Sequence, residues 1–254
     1  MDYDSYLALV KARRSSRVFK PEPVADADIA RIIEAARWAP SGMNSQPWEF
    51  VVVKDPDTIR KLLDVAPRTS RFVRRLAGRI RGRKGQYASK LPGFELAKNA
   101  PALVVVCGDR RKLVNLPGQR YALRGERIHL KRGVGLNQEA IFTSSLSAAF
   151  VLMLLGARSL GLGSQHITVT AAKSHQARIR SLLGLPDHYV IYDTAAIGHP
   201  AFEPRPRWIR PLEEMLHHER FDSSKMLSDV EIVSRATSRH DVKHLFEEAD
   251  RAST

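Results

Sequence analysis

The sequence predicts an α+β fold in which helices cover a short, mixed β-sheet. Three observations lead there. Segments with helical spacing of apolar residues outnumber those that read as strands. The strand candidates are short and almost continuously apolar, as in Phe50-Val51-Val52-Val53 and Leu103-Val104-Val105-Val106-Cys107, which suits strands buried between layers. The chain has 254 residues, 43% of them hydrophobic, and no internal repeat, so one large domain with extensions has material for a sizeable core.

The elements follow in order. Residues 4–12 form a first amphipathic helix with Tyr6, Leu7, Leu9 and Val10 as its apolar positions. Residues 26–38 form a stronger one, with Asp26 as N-cap and Ile29, Ile32, Ile33 and Ala36 along one face. Pro40, Gly42 and Pro47 oppose helix, so residues 40–47 are a loop. A strand at 48–54 and a helix at 57–65 follow. Residues 67–91 are basic and punctuated by Gly, a mobile excursion or a surface helix. Residues 102–108 return to strand, and 109–135 are again basic and irregular. The segment 136–160 is a long helix, apolar on nearly every face, which places it at the domain centre or at a subunit interface. Gly161-Leu162-Gly163 ends it. A helix at 175–183, a buried strand at 189–197 and an extended Pro- and Arg-rich stretch at 198–210 come next. Residues 228–249 read as one or two C-terminal helices.

Composition narrows the function classes. Cys107 is the single cysteine, so no disulfide framework forms within one chain, and a reducing compartment is expected. Its place in an apolar strand makes it a small buried hydrophobe. No basic n-region precedes an apolar run at the N-terminus, and the longest apolar stretch, near 148–156, is shorter than the roughly 20 residues of a membrane span; a cytoplasmic location is expected. The net charge of +14 raises nucleic-acid binding as a possibility. Residues 68–132, however, hold 18 Lys and Arg against 3 Asp and Glu, while the rest holds 23 against 24. The excess is one basic excursion on an otherwise neutral globule. A nucleic-acid module remains a rival, without a helix-turn-helix signature, zinc spacing or aromatic-basic interleave. Adjacent His217 and His218 cannot face one metal from a helix, and no Cys cluster or His-Glu-x-x-His exists, so no metal site is expected.

Four segments carry candidate chemistry. Arg13-Arg14-Ser15-Ser16-Arg17 offers three guanidiniums and two hydroxyls, a phosphate grip or a solvated basic turn. Pro40-Ser41-Gly42-Met43-Asn44-Ser45-Gln46-Pro47 precedes Trp48 and either lines a flat heteroaromatic ligand or simply joins helix to strand. Gly161-Leu162-Gly163-Ser164-Gln165-His166 caps a helix and lets backbone N–H groups approach a ligand; it is not a dinucleotide fingerprint. Ile197-Gly198-His199-Pro200 leads to Arg205, Arg207 and Arg210, which either close a phosphate site or are surface charge.

In order and spacing these four segments resemble the FMN-dependent nitroreductase family. The resemblance rests on Arg-Arg-Ser-x-Arg-x-Phe at 13–19, Ala-Pro-Ser then Asn-x-Gln-Pro-Trp at 39–48, Gly-Leu-Gly at 161–163, Ile-Gly-x-Pro at 197–200 and Arg-Pro-Leu-Glu-Glu at 210–214. It spans roughly residues 3–221 and implies a three-layer α-β-α sandwich with a mixed, mainly antiparallel sheet. Residues 1–221 would be the FMN-binding domain, interrupted by the basic excursion, and 222–254 a helical extension. The resemblance further implies a homodimer with FMN at the subunit interface. Arg13, Arg14, Ser15 and Arg17 would contact phosphate, ribityl chain and pyrimidine edge. Pro40, Ser41, Gly42, Asn44 and Gln46 would reach the flavin from the other subunit. Gly163, Ser164, Gln165 and His166 would lie by the isoalloxazine, and Arg207 and Arg210 would complete the phosphate site.

The implied reaction is ping-pong. NADH or NADPH gives a hydride to FMN, and an electron-poor small molecule such as a nitroaromatic or quinone is then reduced. The flavin carries the chemistry, so no catalytic side chain is assigned; a cation such as Arg17 near the pyrimidine ring would ease reduction. His166 either donates a proton near the flavin or is structural, and no sequence neighbour offers a carboxylate to orient it. The basic excursion is a solvated surface, a lid favouring anionic substrates such as NADPH, or a contact with anionic lipid. A flavin-dependent dehydrogenase or dehalogenase on the same scaffold is the alternative activity.

Overall fold

The computed structural model describes residues 2–64, 97, 99–115, 138–203 and 209–232, with backbone alone for 113–115. Most of the basic excursion, Arg207 and the expected C-terminal helices beyond 232 lie outside the described residues. The chain divides into two compact units, 1–72 with 93–202, and 73–92 with 203–254. The 221/222 boundary read from the sequence falls inside the second unit.

The first unit contains α1 (Tyr3–Ala12), α2 (Asp26–Arg37), β1 (Trp48–Val53), α3 (Pro56–Leu63), β2 (Ala102–Asp109), α4 (Gln138–Ser159), β3 (Gly163–Ile167), α5 (Lys173–Leu183) and β4 (Tyr189–Gly198). The strands form one sheet in the order β1-β2-β4-β3, and all three ladders are antiparallel. An isolated parallel bridge, Ser15 with Ser164, makes the pairing mixed.

The apolar runs now have a reason. Every residue of β2 is buried, and its alternating side chains feed two cores. Ala102, Val104 and Val106 face α2 and α4, packing with Ile29, Ile32, Phe150 and Met153. Leu103, Val105 and Cys107 face the other way, with Ile59, Leu62, Leu63 and Ile179 from α3 and α5. Helices on both faces of one sheet make an α+β fold, as the sequence predicts, in the three-layer form that the family resemblance implies.

The helices keep close to their expected bounds, with two corrections. Ala25, not Asp26, caps α2; Asp26 is its first helical residue and bonds Lys54 Nζ at 2.5 Å. Asp55 Oδ2 caps α3 instead, accepting from Thr58 N at 2.8 Å, with Pro56 in the first turn. The long helix α4 buries one stripe, Phe142, Ser145, Leu146, Ala149, Phe150, Met153, Leu154 and Ala157, while Val151 opposite is 49% exposed. Taken whole, α4 is long and apolar enough by length and composition to cross a membrane, more than the run at 148–156 suggested; its buried stripe is part of the sheet-facing core. α2 crosses it closely at Gly156, where a Cβ would lie 3.3 Å from Ala35 Cβ and 3.5 Å from the Ile32 backbone.

α4 ends as expected. Gly161 takes φ +73°, and Leu162 N donates to Ala157 O at 2.9 Å. The chain then does what the sequence reading missed: Gly163–Ile167 becomes edge strand β3, paired with β4. Its Gly, Ser and Gln carry little strand propensity, so the neighbouring strand decides its conformation.

Candidate functional site

Residues 13–20 leave α1 in extended form and cross the end of the sheet. Ser16 N donates to Ser164 O at 2.9 Å, Lys20 N to His199 O at 2.9 Å, and Ala201 N to Val18 O at 3.1 Å. Three of the four sequence segments are thus laced together by backbone hydrogen bonds. Two glycines make the close approach possible. A Cβ on Gly163 would lie 2.5 Å from Ser16 Oγ, and one on Gly198 would lie 2.8 Å from Phe19 Cδ1. Ser16 is buried there, while Ser15, paired with Ser164, is half-buried.

The crossing holds polar groups that lack partners. The Nε atoms of Arg14 and Arg17 are buried without a hydrogen-bond partner among the described residues. Burial pushes the Arg17 guanidinium below its usual pKa, since desolvation disfavours its charge. A buried donor on a cation costs stability until an acceptor arrives, and an anion with several oxygens supplies what both side chains lack. The residues therefore fit a phosphate group.

The pleat of β3 sorts the next three residues. Ser164 and His166 pair with Ile197 and Ala195, on the α4 face; Gln165 pairs with Ala196, on the α3/α5 face. Placing Gln165 beside a ring together with Ser164 and His166 therefore needs correction: its side chain is buried on the opposite face, and only its backbone stays at the edge. His166 has the carboxylate that its sequence neighbours lack. Its Nε2 lies 2.6 Å from Asp193 Oδ2, and its ring rests on Phe150 at 4.4 Å between centroids. Asp193 comes from β4, 27 positions along the chain.

The loop between α2 and β1 is anchored to α4. Gly42 N donates to Ser145 Oγ at 3.2 Å, and Ser145 Oγ donates to Ile141 O at 2.7 Å. Ser41 Oγ accepts from Gln46 N at 3.0 Å, and Asn44 Oδ1 from Gln46 Nε2 at 3.0 Å. Met43, Asn44 and Gln46 all take positive φ, 56°, 51° and 43°. Three non-glycine residues in the left-handed region store strain of the kind that clusters at ligand-binding loops. Pro40 and Met43 are exposed. In the second unit, Arg210 Nε donates to Glu214 Oε2 at 3.2 Å, and Nη2 donates to the Glu214 carbonyl. Its guanidinium is engaged within its own turn.

Comparison with known proteins gives the frame for this geometry. An NADH dehydrogenase of Thermus thermophilus is 29% identical over 225 residues, covering 84% of this chain and 95% of the relative. Iodotyrosine deiodinase 1 of Rattus norvegicus is 28% identical over 205 residues, 79% of this chain and 64% of that protein. The solved structure of an FMN-dependent nitroreductase from Clostridium difficile superposes with a TM-score of 0.60 at 23% identity, over 85% of this chain and 99% of the other. The model of the nitroreductase family matches residues 10–199, from the last turn of α1 through the Gly198 crossing, and the chain accordingly belongs to that family.

Proposed function

We propose that the protein is an FMN-dependent oxidoreductase that takes hydride from NADH or NADPH and reduces an electron-poor small molecule, a nitroaromatic or a quinone, in a ping-pong cycle. The observation that carries this reading is the pair of buried, unpartnered Nε atoms of Arg14 and Arg17 beside Ser15. A phosphate monoester satisfies both, and two guanidiniums match its charge of nearly two. FMN bound there would supply the hydride-transfer chemistry. Ser15 and Ser164 share a face and would orient the ligand beyond the phosphate. The named activities of the relatives, NADH oxidation and FMN-dependent nitro reduction, support the same direction.

The site is proposed to be shared between two copies of the chain. Exposed Tyr3, Tyr6, Trp38, Met43 and Val151 lie on α1, at the end of α2, in the strained loop and on α4, and an interface would cover them. The loop holding Ser41, Asn44 and Gln46 would then serve the partner's flavin. Cytoplasmic location belongs to this reading as well.

A dehalogenase on the same scaffold is the second reading, supported by the match to iodotyrosine deiodinase. One preparation tests both. Purified protein should be yellow, release FMN on denaturation, and bleach with NADH or NADPH without oxygen before regaining colour with a quinone. Colourless protein that refuses added FMN overturns the proposal; bleaching only by dithionite, with turnover of halogenated phenols, favours the second reading.

A further inference from the structure

We propose that His166 and Asp193 form a proton-delivering dyad for the acceptor that the flavin site reduces, with His166 the catalytic acid and Asp193 its positioning residue. The proposal rests on the flavoenzyme reading above and adds a side-chain role to it.

Geometry carries the case. Antiparallel β2 and β4 pair with a register shift between Val106 and Cys107: Val106 pairs with Asp193, but Cys107 pairs with Ile191. Tyr192 is the extra residue of a β-bulge, and bulges re-aim side chains. Asp193 shares the α4 face with Ala195 and Ile197 by plain alternation and meets His166 at 2.6 Å, and the bulge turns Tyr192 to that same face, against Phe150 at 5.9 Å between centroids. His166 shares that face with Ser164, two residues back along β3, and Ser164 pairs with Ser15 of the arginine segment. Two strand residues span about 7 Å, so the ring stands within one ligand's length of the proposed phosphate grip.

The groups that face the ring are Asp193 from β4 and the apolar Phe150 from α4, with Tyr192 beyond it. Asp193 takes Nε2, which leaves Nδ1 as the nitrogen for a substrate, and the His166 side chain is 39% exposed while that of Asp193 is only 10%. A buried carboxylate that orients an accessible imidazole fixes which nitrogen meets the substrate. The second oxygen, Asp193 Oδ1, is buried without a partner among the described residues. Stability alone does not favour such an arrangement.

The step balances. A quinone takes a hydride, two electrons and one proton, from the reduced cofactor, and a second proton from Nδ1 of the protonated ring. The Nδ1–H bond breaks, the new O–H bond completes the hydroquinone, and the neutral imidazole recovers its proton from water.

The test uses FMN-loaded protein reduced by dithionite, then mixed with a quinone or with ferricyanide, whose reduction needs no proton. The ratio of the quinone rate to the ferricyanide rate should fall about 100-fold in His166→Ala. Added imidazole should restore part of it. In protein without flavin, a downfield imidazole N–H resonance that vanishes in His166→Ala should also vanish in Asp193→Asn, whose rate ratio falls as well. An unchanged ratio in both variants, in protein that binds FMN and bleaches with NADH or NADPH, overturns the dyad and leaves the flavoenzyme reading standing. Failure to bind FMN removes both, and loss of the ratio without imidazole rescue reduces His166 to a packing role.

Discussion

Gly163→Ala tests the assembly of the site at its tightest point. The added Cβ would lie 2.5 Å from Ser16 Oγ, 2.7 Å from Ser16 Cβ and 3.1 Å from Pro200 Cβ. Ser16 is 6% exposed, so it has little room to turn aside. Overpacking of this kind costs about 1–3 kcal/mol. Relief by moving residue 16 breaks the Ser16 N to Ser164 O bond, another 0.5–1.5 kcal/mol or so. The expected loss of stability is therefore about 2–4 kcal/mol, less whatever the crossing recovers by shifting. Any shift carries Arg14 and Arg17 with it. Loss of one charge-assisted bond, about 1.5–3 kcal/mol, weakens FMN binding roughly tenfold to 150-fold. Urea unfolding reads the first effect and FMN fluorescence quenching the second. The double variant Ser16→Gly with Gly163→Ala removes both nearest atoms and should recover most of each loss. Wild-type stability and affinity in Gly163→Ala, or a double variant no better than the single one, would refute the close-approach argument.

Other outcomes follow from the same structure. Arg17→Ala should weaken FMN binding by roughly tenfold to 150-fold in the same titration, and Arg17→Lys should restore it only in part, because a single ammonium cannot replace a fork of donors. The Arg111 guanidinium holds the buried Asp109 carboxyl below its ordinary value of 3.8, chiefly by side-chain hydrogen bonding. Its contribution to stability is present above pH 3.8 and is lost as pH falls through the lower folded value. Arg111→Gln should therefore lower the urea midpoint at neutral pH, with the gap to wild type closing in acid; a gap that widens in acid contradicts the pairing. Burial pushes the Cys107 thiol up to about 12, so thiol reagents at pH 8 should modify it only in unfolded protein, as mass spectrometry would show. Val151→Glu on the exposed face of α4 should shift sedimentation toward monomer and lower FMN content together; loss of neither argues against a shared site.

Much of this molecule is written in local pattern. Ile29, Ile32 and Ala36 recur at helical spacing, and that spacing is the face α2 buries. Phe50-Val51-Val52-Val53 and Leu103-Val104-Val105-Val106 are strands wherever they pair, because β-branched apolar residues fit a pleated surface between layers. Gly161 ends α4 because a left-handed residue was needed and glycine adopts it freely. The arginine segment, the loop after α2 and the glycine segments were also legible as segments, since residue type and order carry them.

Pairing was not legible, and pairing decides the site. Gly163–Ile167 has too little intrinsic preference to announce a strand, and its partner β4 lies beyond an intervening helix. Gln165 sits between Ser164 and His166 in sequence, yet the pleat sends it to the other core. Asp193 reaches His166 because His166 pairs with Ala195 and Asp193 lies two residues from it on the same face of β4, a fact that depends on the register between β3 and β4. By itself the sequence determined most of the elements, the glycine turn after α4 and the charge of the arginine segment, all properties of near neighbours along the chain. Tertiary structure alone decided which side chains share a face, because register and bulges are set by hydrogen bonds between strands far apart in sequence.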